Sequence, residues 1–190
     1  MSRLGKRPIS IPKEVKINIK DKMLEIIGPL GALSNVINND IIVKIHESEL
    51  TVDIIENSRK CNMLRGLTRG LILNMIDGVT RGFKKQLEVV GLGYKANIEN
   101  KNVESLILSV GFSHFVNIPV PNTVKITVAT TQEKNILITV TGIDKYEVGA
   151  FAAKIRLIKP AEPYKGFGIK YLNEKIIRKA GKTAAGSGKK

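Results

Sequence analysis

The first regularity along the chain is an apolar motif that occurs twice. Leu24-Glu25-Ile26-Ile27-Gly28 returns 63 residues later as Leu87-Glu88-Val89-Val90-Gly91, each time ending a strand-like run at a glycine. Short β-rich runs follow each copy: Ile41 to Ile45 and Leu50 to Ile55 after the first, Leu106 to Val110, Val124 to Val128 and Ile136 to Val140 after the second. One helix follows in each case. Leu64, Leu67, Leu71, Met75 and Val79 recur at spacings of three and four, which predicts a helix from about Ser58 to Thr80, weakened locally by Gly66 and Gly70. In the second half Asp144 stands at a helix start with Glu147 three residues on, able to reach back to it. Val148, Phe151, Ala152 and Ile155 then form the apolar face, and Pro160 ends the helix.

Runs of strands closed by a single helix, rather than strict alternation, favour an antiparallel or mixed sheet covered by that helix. The expected fold class is therefore α+β, as two tandem related domains, residues 1–82 and 83–172, each a small antiparallel or mixed β-sheet packed against one α-helix. A basic tail, 173–190, follows. Its end, GKTAAGSGKK, lacks apolar periodicity and should be disordered in isolation.

Charge gives this architecture a partner class. The 31 Lys and Arg against 17 Asp and Glu leave a net +14, which favours a polyanion, nucleic acid before an anionic membrane. The excess is uneven: residues 1–82 carry 13 basic and 9 acidic groups, residues 83–190 carry 18 and 8. From Lys154 onward there are 11 basic residues against Glu162 and Glu174 alone. The second half is the better polyanion binder. The sequence has no apolar run of membrane-spanning length, and MSRLGKRPISIP resembles neither a signal nor a transit peptide, so a cytosolic protein is expected. One cysteine, Cys61, and two distant histidines, His46 and His114, offer neither an internal disulfide nor metal-ligand spacing. No cofactor and no metal are expected.

Several short motifs could carry chemistry and are better read otherwise. Gly91-Leu92-Gly93-Tyr94-Lys95-Ala96 follows a strand as a dinucleotide fingerprint would, but Asn97 to Asn102 read as a strand end and a turn, and no crossover helix fits before Leu106. A glycine-bounded hairpin is expected, on which Tyr94 could stack and Lys95 meet phosphate. Gly181-Lys182-Thr183 lacks the glycine that a phosphate-binding loop needs five residues earlier, where Ile176 stands. Ser113 and His114 are neighbours that a strand would point to opposite faces, so an RNA contact or a turn is expected rather than a nucleophile and its base. Cys61 reads as a small packed residue at a helix start. The most informative segment is Lys159 to Tyr171, where cations, aromatics and glycines interleave on a proline-stiffened loop.

That segment, PAEPYKGFGIKY, together with the preceding VTGIDKYEVGAFAAKIRLIK, resembles the signature of the bacterial-type large-subunit ribosomal protein six family. SRLGKRPISIP, LTRGLILNMIDGVTRGF, LEVVGLGYKA and VGFSHFVNIPVP are similar to the same family in the same order. The resemblance implies two related α+β domains without catalysis. It also implies binding to 23S rRNA near the sarcin-ricin loop, beside neighbouring large-subunit proteins and the docking place of translational GTPases, with no membrane contact. It places the chain in the ribosome of a bacterium, or of an organelle that encodes its own copy. By resemblance the rRNA contacts fall at Gly91, Gly93, Tyr94, Lys95, Ser113 and His114, then along Lys159, Pro163, Tyr164, Lys165, Gly166, Gly168 and Lys170. Arg178, Lys179 and Lys182 carry them into the tail. This chain departs from the family at Phe167, where a lysine is usual between the two glycines, and at Ala161 and Ala150, where proline and glutamine are common.

Overall fold

A computed structural model of the chain describes residues 4–46, 48–100, 104–131, 135–179 and Gly181. The chain divides into two compact units, one of Met1–Phe83 with Gly142–Glu147, the other of Lys84–Thr141 with Val148–Lys190.

The first unit contains strands β1 (Ile9–Ser10), β2 (Lys16–Lys20), β3 (Met23–Gly28), β4 (Gly31–Val36), β5 (Ile41–His46) and β6 (Glu49–Ile54), then helix α1 (Arg59–Thr80). They form two antiparallel three-stranded sheets, in orders β2-β3-β4 and β1-β6-β5. Alternation along β3 turns Leu24 and Ile26 inward and Met23, Glu25 and Ile27 outward. Asp21 and Lys22, both at positive φ, make the two-residue link from β2 to β3, as a hairpin with right-handed twist requires. Ser58 caps α1, its side chain accepting a hydrogen bond from the Cys61 N–H at 3.1 Å.

The helix lies in its expected place but is turned about its axis from the expected stripe. Its buried side is Cys61, Arg65, Ile72, Met75, Ile76 and Val79, whereas Leu67 and Leu71 are 58% and 39% exposed. The sequence is apolar around most of the helix circumference, so two stripes sharing Met75 and Val79 were available. The sheets selected the one that packs with Leu24, Ile26, Leu50 and Val52.

The second unit contains β7 (Phe83–Val90), β8 (Lys95–Asn100), β9 (Glu104–Ser109), β10 (Val116–Pro119), β11 (Val124–Thr130), β12 (Ile136–Gly142), α2 (Lys145–Ile158) and β13 (Gly168–Tyr171), except that Phe83, Gly142 and residues 145–147 belong to the first unit. Strands β8-β9-β10 form an antiparallel sheet, and a second sheet has the order β11-β12-β7-β13. Asp144 caps α2, its carboxylate accepting the Tyr146 N–H at 2.8 Å, and Val148, Phe151, Ala152 and Ile155 are the buried face, as the sequence predicts. Each unit thus splits its strands between two small sheets.

Two expectations change. The glycines at 91 and 93 do not bound a hairpin, because β7 and β8 belong to different sheets and the turn between them carries the chain from one to the other. Asn97 to Asn100 are the end of strand β8, as expected. The end of the Lys159–Tyr171 segment is strand, not loop: β13 pairs antiparallel with β7, Gly168 opposite Val90 and Tyr171 opposite Leu87. Four residues whose partner lies some eighty positions earlier leave little local signal.

Candidate nucleic-acid interface

The site in the second unit begins with the turn after β7. Gly93 holds φ +74°, which favours glycine, and the chain reverses so that the Tyr94 ring folds back over Gly91. A Cβ on Gly91 would lie 2.5 Å from that ring, so only glycine leaves it room. The same ring reaches Gly111, where a Cβ would sit 3.3 Å from it. Tyr94 therefore joins two turns, 91–94 and 111–115. In the second turn the Phe112 and His114 rings are stacked, with centroids 5.8 Å apart and planes at 14°. Lys159 brings its Nζ to 5.1 Å from the Phe112 centroid, a cation–π contact. A shallow pocket is lined by Tyr94, Lys159, Pro160, Glu162 and Phe167.

The segment after α2 is shaped by its own backbone bonds. The Ile169 N–H donates to the Lys159 carbonyl at 2.7 Å and the Glu162 N–H to the Phe167 carbonyl at 3.0 Å, closing a loop that leaves Tyr164 and Lys165 exposed. Gly168, at φ +137°, lets Ala161 approach so closely that a Cβ would stand 2.6 Å from its Cα. The closest neighbours of the space beside the buried Gly166, at φ +79°, are guanidinium atoms of Arg178.

Beyond β13 the chain is held down by Glu174. Its carboxylate accepts Nε of Arg156 at 2.9 Å, a second bond from Arg156 Nη2, and the Tyr171 N–H at 3.0 Å. The Arg156 hydrogen bond holds the Glu174 carboxyl below its ordinary range, with the Tyr171 N–H and the charges of Arg156 and Lys170 adding to it against a smaller effect of burial. The same bond raises Arg156. Further on, the Lys179 N–H donates to the Pro163 carbonyl at 2.8 Å.

The residues expected to contact RNA fall into two groups. Tyr94, from the turn of Gly91 and Gly93, shares a pocket with Lys159 and reaches Gly111 in the turn that carries Ser113 and His114, with Lys95 exposed at the start of β8. Pro163, Tyr164, Lys165, Gly166, Arg178 and Lys179 gather around the closed loop. Lys170 is instead engaged by Glu88 in an ion pair of 3.0 Å with both side chains largely covered. Lys182 lies outside the described residues. Phe167, the family departure, lines the pocket with Tyr94 and Lys159. Sequence reasoning missed Leu92, Phe112 and Phe115, which are 90%, 39% and 74% exposed. The available signal was that large apolar residues stand in turns marked by Gly91, Gly93 and Gly111, where no strand alternation could bury them.

Fold and charge define a class: a basic α+β protein of two tandem units in which, among the described residues, no group of metal-ligating side chains occurs. Comparison with known proteins makes the class specific. The family described as Ribosomal protein L6 matches residues 11–82 and again residues 90–172. The large ribosomal subunit protein uL6 of Natranaerobius thermophilus is 48% identical over 183 residues, covering 96% of this chain and 99% of that one. Its namesake from Synechococcus sp. (strain JA-3-3Ab) is 46% identical over 183 residues, covering 96% and 97%. That of Prochlorococcus marinus (strain MIT 9211) is 44% identical over 190 residues and covers both chains fully. The chain belongs to the ribosomal protein L6 family. These relatives are bacterial and are named as ribosomal proteins, not as enzymes. No helix among the described residues is long and apolar enough to cross a membrane.

Proposed function

We propose that the protein is a structural constituent of the large ribosomal subunit that binds 23S rRNA near the sarcin-ricin loop and the translation-factor site. On this reading residues 83–172 form the RNA-binding domain and 173–190 a basic extension of it. Residues 1–82 form a domain that meets other subunit proteins, and translational GTPases act nearby. It works by positioning: cations neutralise phosphates where RNA segments converge, and the folded body fixes their spacing.

The observation that carries this is the convergence of Tyr94, Lys159 and the 111–115 turn in the unit that also holds most of the excess charge. Beside them, Lys165, Arg178 and Lys179 supply cations with no carboxylate partner among the described ion pairs. The test is binding of the full chain to a 23S fragment containing the sarcin-ricin region, titrated over salt. The expected result is tight, strongly salt-dependent binding that is weakened by K165A and R178A and indifferent to K16A and K20A. Equal weakening by both pairs would overturn the assignment to the second unit.

A further inference from the structure

We propose that the turns 91–94 and 111–115 form a stacking platform for unpaired nucleobases, so that this surface takes RNA whose bases are already out of the helix. The inference rests on the RNA-binding reading above and specifies which form of RNA the site accepts.

Aromatic side chains are the largest apolar groups a small domain has for its core. Residues 84–190 contain eight, and of these only Phe151 is buried. The interior of this unit is made of Leu, Ile and Val instead, with Leu87, Leu106, Leu108, Ile138 and Ile155 fully buried. Tyr171 is accounted for within the fold, since Lys85 and Arg156 each lie 5.8 Å from its ring. Phe115 and Leu92 have no such contact among the described ring contacts, and Phe112, although Lys159 and His114 lie against it, is still 39% exposed, so all three leave apolar surface in water.

Their arrangement favours flat ligands. Phe112 and His114 share nearly one plane direction, and Tyr94 ties their turn to the glycine turn that carries Leu92. Lys159 stands over Phe112 and exposed Lys95 begins the next strand, so cations flank the rings where phosphates on either side of a stacked base would fall. A-form duplex hides its base faces in the stack and its major-groove edges in a deep, narrow groove. A platform of this kind therefore gains contact only from nucleotides in a loop or bulge.

The experiment uses the full chain and two RNAs of equal length, a hairpin with an unpaired loop carrying 2-aminopurine and a fully paired duplex. Tighter binding of the hairpin is expected, with the 2-aminopurine emission quenched on binding. F112A/F115A should lower hairpin affinity about ten- to a hundredfold. The salt dependence should not change, because no phosphate contact is removed, and F112Y should retain affinity. Unchanged thermal melting of F112A/F115A would show that the fold survives, as the exposure of both rings leads one to expect. Equal affinity for the two RNAs, or F112A/F115A binding like the parent while K165A and R178A bind more weakly, would overturn the platform and leave the RNA-binding reading standing. Loss of a protein neighbour from the assembled subunit with RNA affinity unchanged would also overturn it, assigning the rings to that protein. Indifference to the cation variants as well would remove both.

Discussion

The two copies of the apolar motif are built alike up to their glycine and differently after it. Leu24 and Ile26 in one unit, and Leu87 and Val89 in the other, are almost completely buried, so both strands anchor a core by the same alternation. After Gly28, the two residues Pro29 and Leu30 return the chain at once to β4 in the same sheet, with Gly28 paired to Gly31. The turn is pressed onto α1: a Cβ at Gly28 would lie 2.6 Å from the Val79 side chain, and the Leu30 N–H donates to the Val79 carbonyl at 3.0 Å. After Gly91 the neighbour is Tyr94, and the chain moves to another sheet with Leu92, Gly93 and Lys95 exposed. The same glycine position serves packing in one unit and an outward-facing surface in the other. What presses on it decides which.

The largest test of this contrast is a methyl group. G28A drives a Cβ against Val79, including its backbone oxygen at 2.9 Å, and should cost about 2–3 kcal/mol in urea unfolding. G91A meets only an aromatic ring able to swing aside, so it should cost under about 1 kcal/mol while weakening RNA binding about tenfold. Equal stability losses would break the comparison.

A smaller effect is expected where the second unit holds its C-terminal segment. E174Q should lose about 1 kcal/mol, since it replaces a charged acceptor of three hydrogen bonds whose side chain is partly solvated. Because the folded carboxyl titrates below its unfolded value, its contribution is complete above the ordinary carboxylate range and fades as pH falls through the lowered value. The difference between parent and E174Q in urea should therefore shrink in acid. A constant difference would show that charge is not the cause.

Smaller again, K165A or R178A should each lessen the salt slope of RNA binding by about one, with K16A and K20A leaving it alone. The smallest effect belongs to L30Y/A32K, which puts a tyrosine and a lysine on either side of Gly31 in the first turn. No gain in RNA affinity is expected, because that turn has no counterpart of Gly111, Phe112 and Lys159 beside it. A measurable gain would mean that the turn residues alone suffice.

Much of this fold was legible where local rules act alone. Ser58 and Asp144 start their helices as capping chemistry requires, and the apolar runs at 41–45, 106–110 and 136–140 are strands. The α1 stripe was misread because Leu64, Leu67, Leu71 and Leu73 make the helix apolar on more than one side, and only the sheets could choose between them. Strand β13 was read as loop because its pairing with β7 is made across the unit. Of the candidate surface, Tyr94, Lys159 and Lys165 could be named from motif and charge. Lys170 could not be known to face Glu88, nor Phe112 to share its surroundings with Lys159, since both are matters of distance between segments far apart in sequence.

The hydrogen bond from the Lys179 N–H to the Pro163 carbonyl ties the segment after β13 back onto the closed loop. If a polyanion is held at Arg178, as proposed, the charge of Lys179 is already in place beside it, at a local concentration that no free lysine in solution could match. Glu174, an acidic residue in a basic region, ties the chain to Arg156 just ahead of these two cations.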